Sequence, residues 1–365
     1  MKEFRAPSEQ QAGARSWEVV RAAYEAREPV AWPRRHPRAL AAGALVAALV
    51  AAALSPPGRS VVHSLRKAVG VEHAETELFS LPAPGRLLVT GPGGAWIVNG
   101  DGSRRRLGAY RDAAWSPHGL FVAATRGNEL VALDPKGKVR WSLARRSPRF
   151  PAWTGTRSDT RIAYVSRGRL RVVAGDGTGD RAIAPAARVA PAWRPGPHRV
   201  LAYSIGRGIV VYDVDRPSVL LRTRTGEAPR KLAWSSDGRL LLVFAPHATR
   251  VYDARGRVVA HDEPSDATVD ADAAFVPGTH QVVAIRLHDM QSDVFLLRSG
   301  RLLFSGTGIF GRLAWAPSGR WLLVTWPTAN QWVFVRSRPR KIEGASRIAE
   351  QFGGFPSSGS WCCAR

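Results

Sequence analysis

Cysteine is nearly missing from this sequence: there are two in 365 residues, side by side at Cys362 and Cys363. That excludes a disulfide framework and a multi-cysteine zinc site. The pair reads as two thiols in a tail, with a vicinal or mixed disulfide as the sharper alternative. Acidic residues are scarce too, 29 Asp+Glu against 53 Lys+Arg, for a formal charge of +24. A surface this basic favours anionic partners such as acidic lipid, cell-envelope polymer or nucleic acid. The arginines are spread through the chain and form no basic stripe, the footprint that nucleic-acid binding requires, so nucleic acid is not an expected partner. Catalytic signatures are lacking as well. None of the nine His pairs with another at metal-ligand spacing. There is no Gly-x-Ser-x-Gly nucleophile elbow and no phosphate-binding P-loop. Asp176-Gly-Thr-Gly-Asp180 is loosely like a calcium loop but lacks the third acid and the closing Glu, and reads as a hairpin turn. No catalytic residue, metal or cofactor is assigned. Groups converging on one point from distant parts of the chain stay open, because sequence order does not reveal them.

One long uncharged run is present. Between Arg38 and Arg59 lie twenty residues without charge, and Ala39 to Leu54 is entirely apolar or Gly. Twenty helical residues reach about 30 Å, the thickness of a bilayer core. Nine of those sixteen residues are Ala, so the run is only modestly hydrophobic. A single transmembrane helix over 39–58 is the expectation, ended by Ser55-Pro56-Pro57-Gly58. A signal peptide fits less well, since 38 residues precede the run. The short N-terminal tail should stay in the cytoplasm, because long domains translocate largely regardless of charge. The rest of the chain is then expected outside the cell membrane. Within tail 1–38, Trp17, Val20 and Tyr24 fall on one helical face and make a candidate docking helix for a cytoplasmic regulator. Residues 59–77 read as a linker.

Beyond the linker a phrase keeps returning: Ala114-Trp115-Ser116-Pro117-His118-Gly119, Ala233-Trp234-Ser235-Ser236-Asp237-Gly238, Ala314-Trp315-Ala316-Pro317-Ser318-Gly319. Weaker copies centre on Trp153, Trp193 and Phe275. The aromatic positions 115, 153, 193, 234, 275 and 315 are 38, 40, 41, 41 and 40 residues apart. Such a period marks an array of similar units. Each unit reads as four short strands, for example Lys231–Trp234, the continuous apolar run Leu240–Phe244, Ala248–Tyr252 and Arg257–His261. The prediction is an all-β propeller of about seven four-stranded blades over 78–347, six being the fallback, followed by a tail over 348–365. The segment from Leu78 is taken as the opening of a first, degenerate unit. One aromatic per unit reads as packing between blades that cannot bury their faces alone.

Trp96-Ile-Val-Asn-Gly-Asp-Gly-Ser-Arg-Arg-Arg-Leu-Gly108, leading into Ala114-Trp-Ser-Pro-His-Gly119, resembles the TolB-type, WD40-like propeller repeat. Val173-Ala-Gly-Asp-Gly-Thr-Gly-Asp-Arg181 before Pro191-Ala-Trp193 repeats the plan, while His118 and Ser318 replace the usual Asp. Leu130-Val-Ala-Leu-Asp-Pro-Lys-Gly-Lys-Val-Arg-Trp141 is similar to the repeat of quinoprotein-like propellers, once only, which argues shared architecture without a bound quinone. These resemblances imply a fold and leave function open, since function lives in sites grafted on folds. The expectation is a membrane-anchored extracytoplasmic scaffold, not an enzyme, that binds a protein or an envelope ligand. The alternatives are a transmembrane regulator of the anti-sigma type acting through its tail, and an exported hydrolase or quinoprotein-like enzyme.

Overall fold

A computed structural model describes residues 73–75, 80–156, 158–185 and 188–363. The predicted span 39–58, the tail residues Trp17, Val20 and Tyr24, and most of the 59–77 linker lie outside the described residues. Among the described residues no helix is long and apolar enough to cross a membrane.

The described chain is a succession of short antiparallel sheets. After β1 (His73–Glu75), the first sheet takes β2 (Arg86–Gly91), β3 (Gly94–Val98) and β4 (Arg104–Gly108). Blade 2 is β5 (Asp112–Trp115), β6 (Val122–Arg126), β7 (Glu129–Leu133) and β8 (Val139–Ala144). Blade 3 is β9 (Arg149–Gly155), β10 (Thr160–Ser166), β11 (Arg169–Ala174) and β12 (Arg181–Ala184). Blade 4 is β13 (Ala192–Trp193), β14 (Val200–Ile205), β15 (Gly208–Asp213) and β16 (Ser218–Arg224). Blade 5 is β17 (Lys231–Trp234), β18 (Leu240–Phe244), β19 (Thr249–Asp253) and β20 (Val258–Asp262). Blade 6 is β21 (Val269–Phe275), β22 (Val282–His288), β23 (Gln291–Leu296) and β24 (Leu302–Thr307). Blade 7 is β25 (Leu313–Trp315), β26 (Trp321–Trp326), β27 (Gln331–Ser337) and β28 (Arg340–Ser346), with β1 added in parallel beside β28. Helix α1 (Ile348–Phe352) follows, and then β29 (Ser358–Cys362).

β29 completes blade 1. The sheet order is β29-β2-β3-β4, with Arg86 opposite Cys362 and Thr90 opposite Ser358. The inner strands β5, β9, β13, β17, β21, β25 and β29 each touch the next, and β29 touches β5. The molecule is therefore a closed seven-bladed β-propeller. Blade 1 does not take its inner strand from the segment opening at Leu78, as the repeat pattern suggested. Leu81 lies in a loop ahead of Pro82 and Pro84, where a strand ladder would lose its donors. Its side chain is buried in the core shared by blades 7 and 1. Residues 348–363, set apart from sequence as a tail, carry α1 and β29, so the propeller extends to Cys362.

Seven apolar clusters hold the ring, one at each junction between blades. The second strands are buried along most of their length, as in β26, where Trp321 to Trp326 are all buried. This is why they read as unbroken apolar runs. The fourth strands of blades 1, 2 and 4 form a largely exposed rim, while in blade 7 β1 lies outside β28. Exposed Arg104, Arg105 and Arg106 on β4 discourage pairing with another chain's edge.

The glycine of the repeated phrase has two tasks. Gly238 adopts φ +66°, and a Cβ there would stand 2.7 Å from the Pro195 carbonyl oxygen of blade 4. Gly168 has a similar φ of +71° with nothing within 4 Å of that position. Left-handed backbone costs an L-residue about 1–2 kcal/mol. Gly238→Ala should therefore lose more stability in urea unfolding than Gly168→Ala. Equal losses would show that the close approach to blade 4 carries nothing.

Candidate binding site at the axial mouth

The inner strands of blades 2, 5, 6 and 7 end at tight turns, closed by the N–H of Gly119, Gly238, Thr279 and Gly319. Turns of blades 2, 6 and 7 border a cavity of about 1260 Å³ that also reaches blade 1. Its wall includes His118 from blade 2, Pro277 from blade 6, Trp315 and Pro317 from blade 7, and Trp361 with Cys362 and Cys363 from β29. Elements from both ends of the described chain thus meet at this mouth. Pro117, His118 and Leu120 also line a second hollow of about 470 Å³ between blades 2 and 3, so the two hollows share one wall.

The second hollow is an apolar groove. Phe121 stacks on Trp153 with ring centres 6.2 Å apart and planes 19° from parallel. Trp141 also lines the groove, fixed by its Nε1 donating to the Gly175 carbonyl at 2.7 Å. Leu120 stands at the junction of groove and mouth with 54 % of its surface exposed. Arg140 and Asp176 add charge to the groove lining.

The aromatic series occupies the inner strands. Trp115 and Phe275 are buried, and Trp153, Trp193, Trp234 and Trp315 are half-buried. Trp193 Nε1 donates to the Ala152 carbonyl and Trp234 Nε1 to the Ala192 carbonyl, each in the preceding blade, at 2.9 and 3.1 Å. The indole N–H groups of Trp153, Trp315 and Trp361, which line the groove or the mouth, are buried and have no protein partner. Two guanidinium groups bridge blades in the same manner. Arg86 lies over Trp115 and donates to the Gly119 carbonyl, and Arg194 lies over Trp234 and donates to the Gly238 carbonyl.

Polar clusters elsewhere are built as fasteners. Asp180 accepts hydrogen bonds from Tyr164 at 2.7 Å, Arg145 at 2.7 Å and Arg171 at 3.0 Å. Burial pushes its carboxyl up, but these donors outweigh that and hold it below the ordinary range. Burial, then the bond to Asp180, pushes the Tyr164 hydroxyl up to about 12. On blade 6, burial raises Asp270 to about 6 against the opposing pull of Arg286. Ser235, Asp237 and His280 are of the residue types of a hydrolytic triad, but their order is wrong. Ser235 Oγ donates to Asp237 Oδ1 at 2.6 Å, and His280 Nε2 contacts Asp237 Oδ2 at 2.8 Å. The Ser235 bond, then His280, pulls the Asp237 carboxyl well below its ordinary value. The hydroxyl is spent on the carboxylate, so the nucleophile-to-base contact that a triad requires is not made. Among the described residues no group of three or more His, Cys, Asp or Glu could hold a metal ion.

Sequence reasoning missed Trp361, which faces Leu87 across β29 and β2 as Trp115 faces Val122 in blade 2. Its signal was Gly359-Ser360-Trp361, a short phrase displaced from the period. Trp141 was visible only as the last residue of the quinoprotein-like phrase on rim strand β8, which pointed to architecture and not to a groove.

No protein-family model and no curated protein matches the chain. Solved structures do resemble it. The C-terminal WD40 domain of Sif2 superimposes with a TM-score of 0.56 at 12 % identity, covering 73 % of this chain and 84 % of that one. KlHsv2 with loop 6CD replaced by a Gly-Ser linker gives 0.53 at 12 % identity, covering 71 % and 93 %. A chain of the mitotic checkpoint complex gives 0.51 at 16 % identity, covering 85 % of each. At such identities the likeness is one of fold.

Proposed function

We propose that this propeller is a protein-binding scaffold whose mouth and groove receive an extended, acidic segment of a partner protein. The groove walled by Leu120, Phe121, Trp141 and Trp153 carries the reading: an exposed apolar slot beside a larger cavity of mixed polar and apolar lining suits an apolar anchor followed by a polar chain. The net charge of +24 selects for acidic segments and speeds their approach. Two of its structural neighbours, a WD40 domain and a component of a checkpoint complex, come from the same architecture.

The uncharged run 39–58 supports a further element of this reading, a TolB-type plan with one membrane span, a cytoplasmic tail and an extracytoplasmic propeller. Protease added to intact cells should then digest the propeller; protection until lysis would overturn that topology.

Selection of random peptides on the full-length chain should enrich acidic sequences with an aromatic or aliphatic anchor. Leu120→Arg should weaken their binding at least tenfold, about 1.4 kcal/mol, whereas Val259→Arg on the rim should leave it unchanged. Equal effects of the two substitutions would remove the groove from the proposal.

A further inference from the structure

Cys362 and Cys363 are joined in a disulfide between adjacent residues, and both sulfur-bearing residues line the axial mouth. Neither is fully buried. Cys362 packs partly against the apolar core shared by blades 1 and 2, its Sγ 4.0 Å from the Ser116 carbonyl oxygen. Cys363 faces Gly119, where a Cβ would come within 2.6 Å of its sulfur and 3.1 Å of Arg86 Nη2. The Cys363 sulfur and the Arg86 guanidinium are therefore no more than about 6 Å apart. Only a residue without a side chain at 119 leaves room for both. The structure thus sets a half-buried disulfide beside a fixed cation, in a cavity with room for a small peptide.

We infer that the mouth is a thiol–disulfide exchange site that accepts a small or peptidyl thiol. The incoming thiolate attacks Cys362 Sγ. A bond forms between the two sulfurs as the Cys362–Cys363 bond breaks, and Cys363 leaves as a thiolate beside Arg86, where it takes a proton from solvent. A second thiolate attacks the substrate sulfur of the mixed disulfide and releases Cys362, which is protonated in turn. Two thiols leave as one disulfide, and their two electrons remain in the reduced cysteine pair. The direction of attack follows from the leaving group: a sulfur stabilised as a thiolate departs faster, and a neighbouring cation provides that stabilisation. A small-molecule disulfide resets the pair by the reverse steps. The site rests on the geometry of the mouth alone and does not require that a peptide also bind the groove.

Reduced glutathione is the probe, mixed with the full-length oxidised chain, quenched by alkylation and read by mass spectrometry. The expected result is glutathione attached to Cys362 at early times, then a doubly alkylated pair with one oxidised glutathione formed per chain. Arg86→Ala should slow the first step about threefold to tenfold, and Arg86→Lys, which keeps the charge, should restore most of the rate. A pair that glutathione leaves oxidised while a phosphine reduces it would overturn the inference. So would attachment to Cys363 in place of Cys362, or equal rates for the Lys and Ala variants.

Discussion

Deletion of residues 358–365 should abolish cooperative unfolding of the propeller. Without β29, β2 loses the partner that pairs with it from Arg86 to Thr90, and the inner edge of blade 1 is left open. The same change removes Trp361, which is 8 % exposed and packs edge-on against Phe334 of blade 7 with ring centres 5.9 Å apart. Truncation of a buried tryptophan alone costs about 3–5 kcal/mol, a large part of the roughly 5–15 kcal/mol that stabilises an ordinary domain. The point variant Trp361→Ala should therefore fold but unfold at a much lower urea concentration, and the deletion should show no sharp transition by circular dichroism. A deletion mutant with the parental midpoint would mean that the ring closes by other means.

Asp272→Ala is expected to have the next largest effect. Asp272 is fully buried in β21, yet it serves three blades. Its carboxylate accepts from Lys231 Nζ of blade 5 at 2.8 Å and from the Leu313 N–H of blade 7 at 2.9 Å, while its own strand supplies the Ala273 N–H at 2.9 Å. Removing one partner of a buried pair typically costs about 3–5 kcal/mol, because the groups left behind stay desolvated and unpaired. Lys231 is 30 % exposed, which moves the expectation toward the lower end of that range. Asp272→Asn keeps an acceptor for Leu313 and should lose less. Adding Lys231→Met to Asp272→Ala should recover part of the loss, since the lysine then has no charge to strand. Chemical denaturation of the three variants checks the order, and an Asn variant as unstable as the Ala variant would refute this account of the carboxylate.

The aromatic period exposed most of this architecture because the same packing problem recurs at every junction. A residue at one depth of each inner strand must fill the gap to the next blade, and that requirement writes Trp or Phe about every 40 residues. The ring closure was hidden because α1 and its flanking turns interrupt the period before Trp361. Its pairing also joins distant segments, as the Ser357 hydroxyl donating to the Thr90 carbonyl across 267 residues shows, and local pattern carries no information on so distant a register. The groove was hidden for a different reason. Trp153 was visible as a repeat residue, but its neighbour Trp141 sits on a rim strand where nothing repeats, and only the turn of one blade against the next makes a slot of the two. The cysteine pair was legible as chemistry, and its location was not, because the same closure strand decides it.

That closure also orders events during synthesis. Strand β2 emerges early and carries Leu87, Leu88 and Val89, all buried in the finished ring. Until β29 arrives, blades 2 to 7 can form from consecutive segments, whereas blade 1 must wait with one edge bare. Loop closure over such a distance is slow, and a waiting apolar edge is what chaperones shield and what aggregates when they do not. A nascent chain of this design is thus most vulnerable just before its last strand becomes available, and its final clasp doubles as a quality check: only a chain translated through to β29 can hide its first blade.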